Sequence, residues 1–408
     1  MKDVSTLGKK SYSDRIFLIA VGVILTLFTM FIRFIVRDMP STDMKIYLLP
    51  WYNDYKAAGG FKAVGETYGN YNYLYNLFLI CLTYIPIDAV HAIKALSGVF
   101  DYLTALAVMD LTGILASSDP RREKFMLGAY AAVIFSPIVL ENSAVWGQCD
   151  SMFAFCVVLA VVFIVKERYA ASCVALGFAL ALKLQMVFIM PFVLYVYIVK
   201  FKEKRFRFLY FFIIPAVLWL TSVPHIIGGG GVLDCILVYL YQGTGYSERL
   251  YENSGCLWAL FVHDSMAAAE AGIQFPILLF VLVAFAVLAA FFVFCYVKKV
   301  TLTPDNLVYM AFLCVFICVF FLPHMRDRYG YVYEILAIAV CFINPKTIPL
   351  LVMIYVSTLA RYNYYLLGFR LIPVWESAVL NLLALAVYLY IFAKSIMPPK
   401  TKPAPKTV

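Results

Sequence analysis

The chain has 408 residues, of which 64% are hydrophobic and only 14% are charged. A soluble globular domain has about 25% charged residues. Several apolar runs reach the roughly 20 residues that a helix needs to cross the hydrocarbon core of a bilayer. The composition therefore excludes a soluble enzyme, a nucleic-acid-binding protein and a disordered scaffold, and it predicts a polytopic membrane protein. The formal net charge of +9 then bears first on the orientation of the chain in the membrane.

The apolar runs predict an all-α protein, because a backbone exposed to lipid must satisfy its own polar groups within a helix. We predict a single transmembrane domain over residues 1–408, embedded in the plasma membrane and crossing it about 12 times. The predicted spans, in chain order, are 16–36, 88–115, 125–140, 150–166, 170–182, 186–199, 208–223, 276–297, 306–323, 331–343, 347–362 and 375–396.

Residues 72–86 are apolar and aromatic, but this run is only about 15 residues long, short of a full span. If it does not cross, both termini are cytoplasmic and most basic residues lie in cytoplasmic loops. If it crosses, the basic loop 200–207 becomes external, against the usual enrichment of basic residues on the cytoplasmic side. We therefore predict that 72–86 is an interfacial or re-entrant helix in a large first external loop, 37–87. The same topology gives an external loop at 224–275 and a cytoplasmic tail at 397–408.

Other polar groups have more than one reading. Cys235 and Cys256 fall in the second large external loop, either as free thiols or as a disulfide formed in an oxidising compartment. No zinc site is predicted, because the most closely spaced of the ten cysteines, Cys314 and Cys318, lie one helix turn apart within a predicted span and are expected to pack there. Lys94 and Asp101 lie on one helix face two turns apart. Each is expected to pair with the other or with a neighbour, because a charge within a span seeks a partner.

The polar residues that are unusual in so apolar a chain all fall on the external side of the predicted topology. In the first external loop, Asp43 follows Ser41 and Thr42 shortly after the first span. An acid or hydroxyl residue in this position can cap a helix, or it can act on a ligand. The same loop is rich in tyrosine, which suits either a membrane interface or a groove for the C–H faces of sugars.

Two further groups lie at tight external turns. Trp146, Gln148 and Asp150 separate two predicted spans, either as an interfacial ring and a helix cap or as ligand contacts. Lys183 and Gln185 mark the point where the chain turns back between two basic loops. Lys183 can extend its amine to the membrane interface, or it can neutralise an anion held in the cleft.

The connection that precedes the tenth predicted span carries the densest group of external cations. His324, Arg326 and Arg328 have only one acid beside them, Asp327. An arginine presents a planar fork of donors that fits phosphate oxygens. These cations either pair with an acid or bind a phosphate, and we favour the phosphate. Tyr329 follows them as a candidate substrate contact.

The order of these polar motifs along the chain resembles that of the GT-C superfamily. Its members are integral membrane glycosyltransferases that use a polyprenyl-phosphate sugar as donor. Within it, the chain looks like the bacterial relatives of the GPI-anchor and dolichol-pathway mannosyltransferases. Each motif is weak alone, whereas their order over residues 16–335 is more specific. The matching segments are Ser41-Thr42-Asp43 with Pro50, Asn70–Tyr75, Ile93-Lys94 with Asp101, Trp146–Ser151, Leu182–Gln185 and His324–Tyr329.

The resemblance implies a GT-C fold and assigns roles by position. The first-loop acid of the family is the general base, and this role carries to Asp43. The late basic stretch that contacts the donor phosphate carries to His324, Arg326 and Arg328. The chain departs from the family at Tyr71–Tyr73, where many relatives have Tyr-Pro-Pro, and after His324, which is separated by two residues from the next acid.

Together these features predict a hexosyltransferase of cell-envelope glycan biosynthesis, with mannose as the family-level expectation for the sugar. The sugar would pass, with inversion, from a polyprenyl-phosphate donor to a hydroxyl of a lipid, glycan or protein on the extracytoplasmic side. Lys183 and the arginines would neutralise the leaving phosphate, so neither a cofactor nor a metal is required, although Asp43 and Asp150 could hold a divalent ion. The predicted substrate contacts are Trp146, Gln148, Asp150, Gln185 and Tyr329.

Two other functions share these features. A transporter or flippase of lipid-linked sugars would use the same aromatic groove and arginines, but such proteins often contain repeats with broken helices in matching positions. The sequence contains no such repeat. A polymerase or ligase of surface glycans would also act on a lipid phosphate and would differ in the glycan that it transfers or extends. No nucleic-acid partner is expected.

Overall fold

A computed structural model describes residues 4–244 and 249–396 of the chain. The regular structure in these ranges is helical apart from one parallel pair of two-residue strands, Tyr251–Glu252 (β1) and Met325–Arg326 (β2). The predicted all-α class is therefore confirmed for this part of the chain. The predicted cytoplasmic tail, 397–408, lies outside the described residues.

The α-helices in the described ranges differ widely in length, and short 3₁₀ and π segments join several of them. The α-helices are Val4–Ile35 (α1), Leu49–Ala57 (α2), Tyr73–Leu82 (α3), Ala89–Leu115 (α4), Arg122–Ile134 (α5), Pro137–Leu140 (α6), Asp150–Val165 (α7), Tyr169–Leu182 (α8), Met190–Lys200 (α9), Ile213–Thr221 (α10), Val223–Ile227 (α11), Asp234–Thr244 (α12), Ser265–Glu270 (α13), Ile277–Val297 (α14), Pro304–Phe321 (α15), Tyr331–Ile343 (α16), Ile348–Leu367 (α17) and Val374–Ser395 (α18). The π segments are Met44–Leu48 and Glu141–Trp146, and the 3₁₀ segments are Gly60–Ala63, Leu184–Ile189, Phe201–Glu203, Phe208–Phe212, Leu257–Leu260 and Pro345–Thr347.

Among the described residues, six helices are long and apolar enough to cross a membrane, and a bent pair raises the number to seven. Other apolar helices, including α7, α8 and α16, have between 10 and 17 residues, which is short of the roughly 20 residues of a full span. The membrane-protein class is thus supported, while the predicted 12 spans remain a prediction. The six long helices are Asp14–Ile35, Ala89–Leu115, Leu184–Glu203, Ile277–Val297, Pro304–Phe321 and Val374–Ser395.

The centre of the bundle is formed by α15 and α16, which are buried on nearly every side. A helix that is apolar all round is typical of such a position. Helices α4 and α7 pack against this centre, and α8 packs against α7. By contrast, α1 and α14 expose most of their large apolar side chains, a surface that suits contact with lipid. The polar site described below is built where the connections of the central helices meet.

The predicted span 125–140 is broken in the structure. Helix α5 ends at Ile134 and α6 begins at Pro137, with a bend of 44° between the two parts. Proline has no N–H to continue a helix, but its fixed φ suits the first turn of a new one. The chain then continues as the π segment Glu141–Trp146, which carries buried polar residues into the bundle.

The aromatic run at 72–86 forms α3, which has only ten residues. Asn72 caps this helix, because its side chain accepts a hydrogen bond from the backbone N–H of Tyr73 at 2.7 Å. Helix α3 packs against α2, α4 and α8. It is shorter than the roughly 20 residues of a full span, and its interfacial or re-entrant placement stays a prediction.

The structure gives the partners of Lys94 and Asp101 and the state of two cysteines. Lys94 does not pair with Asp101; its amine donates to the carbonyls of Val36 and Met39 at 2.9 and 2.8 Å. Asp101 instead forms a buried ion pair with Arg33 at 2.7 Å, which ties α1 to α4. Cys235 and Cys256 are both free, buried thiols, so they form no disulfide in this structure. They lie in separate apolar clusters.

Candidate active site

Asp43 lies just after α1, at the start of the π segment Met44–Leu48. Its own side chain does not cap this segment. Ser41 does so, because its hydroxyl oxygen accepts a hydrogen bond from Met44 N at 3.2 Å and also donates to Trp146 O at 2.7 Å. The capping hypothesis therefore applies to Ser41, and the Asp43 carboxylate is left for other contacts.

The Asp43 carboxylate receives hydrogen bonds on both oxygens. Trp146 Nε1 and Gln148 Nε2 donate to Oδ2 at 3.0 and 2.7 Å. The Tyr365 hydroxyl donates to Oδ1. Since 13% of the side chain is still exposed, the carboxylate is fixed in orientation and yet open to an incoming molecule.

The turn that carries Trp146 and Gln148 depends on Gly147. This residue has φ +77°, in the left-handed region that favours glycine. A Cβ atom there would lie 2.2 Å from Met44 Cε, so the turn is also closely packed against the π segment Met44–Leu48. Gly147 thereby allows the two flanking side chains to converge on Asp43.

A second carboxylate, Asp150, is buried in an ion pair with Lys183. Asn142 donates a further hydrogen bond to Asp150 at 3.0 Å. Burial lowers the pKa of Lys183, but the neighbouring Asp150 carboxylate raises it more, and the net shift is upward. The amine also lies 5.6 Å from the ring centre of Tyr71. Lys183 is therefore a permanent cation held between a carboxylate and an aromatic ring.

Arg328 joins the two carboxylates. Its Nη2 lies 3.6 Å from Asp43, its Nη1 lies 3.9 Å from Asp150 and its Nε lies 3.8 Å from Asp327. These separations are longer than charge-assisted hydrogen bonds, which measure about 2.7–2.9 Å. Although the side chain is only 12% exposed, Nε and Nη1 have no hydrogen-bond partner among the described residues. The guanidinium also lies over the Trp146 ring, 4.7 Å from its centre.

The charges of the site are closely balanced. Asp43, Asp150 and Asp327 lie around Arg328, and Asp150 also pairs with Lys183. Burial raises the pKa of Asp327 to about 6, against the lowering effect of Arg328 and of the hydrogen bond from the Asn253 amide. A buried group whose donors are unpaired costs free energy. The unpaired donors of Arg328 are thus the feature of the site that most favours binding of an anion.

The other predicted cations lie against a different segment. The His324 backbone N–H donates to the carbonyl of Leu250 at 2.7 Å, and His324 Nδ1 lies 2.6 Å from the carbonyl oxygen of Arg249. Arg326 pairs with Glu252 at 2.8 Å. Because the β1–β2 pairing fixes this register, these contacts join the stretch before α16 to residues 249–252. Their assignment to a donor phosphate stays a prediction.

Gln185 and Tyr329 lie beside the charged cluster. Both lie in a mainly apolar cluster together with Phe153 and Phe188, which leaves no space for even one water molecule. Phe153 is also one of the rings next to the Lys183 amine, at 5.7 Å. The structure therefore brings eight of the ten predicted site residues into one neighbourhood and directs His324 and Arg326 toward 249–252.

Sequence reasoning missed two important residues. Tyr365, at the end of α17, contacts Asp43 from the far end of the chain. The polar aromatic run from Arg361 to Tyr365, at the end of the predicted span 347–362, is the signal that could have identified it. Arg33 was missed inside the first span, where an isolated charge is itself a sign of a buried partner.

Within the described ranges, no group of three or more His, Cys, Asp or Glu side chains could hold a metal ion. Asp43 and Asp150 contact cationic or N–H donors instead. The chain matches no protein-family model, and a search of curated proteins gives no significant match.

Proposed function

We propose that this protein is an integral membrane glycosyltransferase of the GT-C type. It moves a hexose, with mannose as the first candidate, from a polyprenyl-phosphate donor to a hydroxyl acceptor on the extracytoplasmic side of the membrane. The observation that carries the proposal is the pair formed by Asp43 and Arg328. A partly exposed carboxylate lies 3.6 Å from a buried guanidinium with unpaired donors.

The reaction needs a proton acceptor and a stabilised leaving group. The acceptor oxygen bonds to the anomeric carbon, the bond from that carbon to the phosphate oxygen breaks, and the electron pair stays on the phosphate. Asp43 takes the proton of the attacking hydroxyl, a contribution typically worth about 10²–10⁴ in rate. Attack opposite the leaving phosphate inverts the anomeric carbon.

Arg328 is the group best suited to the leaving phosphate. Its Nε and Nη1 make no hydrogen bond to the described residues, and a planar guanidinium can donate two parallel hydrogen bonds to phosphate oxygens. Electrostatic stabilisation of developing charge is usually the largest catalytic contribution. A phosphate at this position would replace the three long ion pairs of Arg328 with shorter, stronger contacts.

Lys183 belongs to the same site through Asp150, which lies near both cations. Its amine pairs with Asp150, so that the buried carboxylate does not carry an unpaired charge. A phosphate near Arg328 would compete with Asp150 for the Lys183 amine. Lys183 thus acts either directly on the phosphate or by holding Asp150 in place.

The site contains a group of aromatic side chains in which Tyr365 is the exposed ring and Trp146 becomes accessible to a sugar when Tyr365 moves. Trp146 is stacked on Tyr365, with 4.7 Å between ring centres, and it lies edge-on to Tyr362 at 5.2 Å. The Tyr71 hydroxyl is 3.4 Å from the Gln148 amide oxygen. Flat aromatic faces with nearby amide and hydroxyl groups suit the C–H and O–H groups of a hexose.

The experiment uses the purified full-length protein in lipid vesicles with a membrane extract as the source of acceptor. Polyprenyl-phosphate sugars that carry mannose, glucose or galactose are supplied one at a time, and the products are identified by mass analysis. The proposal expects one donor to be consumed and its sugar to appear on an acceptor with the opposite anomeric configuration. Movement of intact donor across the bilayer without cleavage would identify a flippase instead.

A further inference from the structure

Tyr365 covers the proposed base. It lies in the last turn of α17, and its phenol donates to Asp43 Oδ1. Its ring is stacked almost parallel to Trp146, with an angle of 18° between the planes. Trp146 is only 1% exposed, whereas Tyr365 is 36% exposed. Tyr365 is therefore the outer layer of the site, and Trp146 is the inner one.

The contact with Tyr365 differs in kind from the other contacts of Asp43. Trp146 and Gln148 bind Oδ2 with N–H donors, whereas Tyr365 binds Oδ1 with a hydroxyl. An acceptor hydroxyl must make this same O–H to carboxylate contact before it can lose its proton.

We propose that Tyr365 is a gate on Asp43, which the acceptor displaces when it binds. The inference rests on the proposed function, and it concerns how that site is regulated. With the gate closed, the phenol occupies Oδ1 and hinders water from using the base. With an acceptor bound, the phenol swings away and the acceptor hydroxyl takes its position.

The gate answers a chemical problem of the reaction. Water can attack the donor in the same way as an alcohol: its oxygen bonds to the anomeric carbon, the bond to the phosphate oxygen breaks with its electron pair on the phosphate, and Asp43 takes the proton. The products are free sugar and polyprenyl phosphate, so the donor is wasted. Exclusion of water from a reactive site is a common role of covering groups.

Opening requires no change in the fold. Rotamer changes of exposed side chains occur within nanoseconds, and Tyr365 is partly exposed. Helix α17 ends two residues later, before Gly368, whose φ of +68° terminates it. A rotation about the side-chain bonds of Tyr365 is enough to release Asp43, while Trp146 and Gln148 continue to hold the other oxygen.

The test compares donor hydrolysis with donor transfer in the purified full-length protein. The variants are Tyr365→Phe, which removes the hydroxyl and keeps the ring, and Tyr364→Phe as a control. Tyr364 is an exposed neighbour whose hydroxyl contacts Arg370 at 3.4 Å and is not part of the site. The donor is a radiolabelled polyprenyl-phosphate mannose, and glycerol is the probe acceptor.

In Tyr365→Phe, we expect release of free mannose without acceptor to rise at least about tenfold, and the KM for glycerol to fall without loss of kcat. Tyr364→Phe should match the wild type in both measurements. If Tyr365→Phe lowers hydrolysis and transfer together, Tyr365 orients Asp43 and the gate is refuted. If the variant matches the wild type, the gate is also refuted while the proposed function stands.

If neither the wild type nor the variants cleave any polyprenyl-phosphate sugar in the presence of a membrane extract, the proposed function fails, and the gate with it.

Discussion

Arg328 Nη2 lies 3.6 Å from Asp43 Oδ2, although one residue precedes α16 and the other follows α1. The two groups attract each other, yet the distance leaves space for stronger hydrogen bonds to another molecule. In the proposed reaction each group has its own role: the carboxylate takes the proton of the acceptor, and the guanidinium stabilises the departing phosphate. The following predictions test the parts of the arrangement separately.

Arg328→Ala should weaken binding of the polyprenyl-phosphate sugar more than binding of the acceptor substrate. The variant removes the unpaired N–H groups that we propose bind the phosphate, and it leaves the hydrogen bonds of Asp43 with Trp146 and Gln148 in place. We expect kcat/KM for the donor to fall by about 10²–10³, as when a preorganised charge-stabilising donor is removed. Steady-state kinetics with each substrate varied in turn measure the effect. Arg370→Ala, at an exposed site, is the control, and an equal loss in both variants would contradict the assignment.

Lys183→Met should destabilise the fold, because it leaves Asp150 as a buried carboxylate without its closest cation. Breaking a buried ion pair typically costs about 3–5 kcal/mol. The double variant Lys183→Met with Asp150→Asn should recover part of this loss, since no unpaired charge remains. Unfolding in mixed micelles measures the free energies. Additive effects of the two changes would show that the pair contributes little.

Gly147→Ala should reduce both stability and activity. The left-handed φ costs a non-glycine residue about 1–3 kcal/mol, and the new Cβ meets Met44 Cε at 2.2 Å. Gly272→Ala separates the two causes, because Gly272 has φ +71° with no atom within 4 Å of an added Cβ. The thermal midpoint should fall further for Gly147→Ala. Similar midpoints would mean that Met44 moves aside without cost.

The pKa of Asp327 gives a prediction for pH. Burial raises this pKa from 3.8 to about 6 in the folded protein. Between these values the folded state holds a proton that the unfolded state has released, so the contribution of Asp327 to stability is largest below about pH 4 and is lost as the pH rises through 6. Asp327→Asn should therefore gain stability relative to wild type as the pH rises from 4.5 to 7. Thermal midpoints at both values test this, with the exposed Asp54→Asn as control.

The sequence alone indicated much of the site because its polar residues are few and fall on one side of the predicted topology. Asp43, Trp146, Gln148 and Arg328 were selected on that basis, and the structure brings them together. The side of the membrane was predicted from the distribution of basic residues, and the number of spans from the length of the apolar runs. Neither property indicates how short helices such as α8 pack.

Other features depended on contacts that no local pattern contains. His324 belongs with 249–252 because of a strand pair of only two residues, which is too short to give a sequence signal. Tyr365 was missed because α17 continues past the predicted end of its span at 362. The break at Pro137 was readable in principle, since proline begins a new helix far more readily than it continues one.

The central claim is that Asp43 is the general base of a lipid-phosphate glycosyltransferase. The most direct measurement is transfer of mannose from polyprenyl-phosphate mannose by purified Asp43→Asn, beside Asp54→Asn as an exposed control of the same chemistry. Asparagine keeps the shape of the side chain but does not accept the proton. We expect at least about a 10² loss of kcat for Asp43→Asn, with an unchanged elution volume in size-exclusion chromatography and near-normal activity of Asp54→Asn. Wild-type rates in Asp43→Asn would contradict the claim.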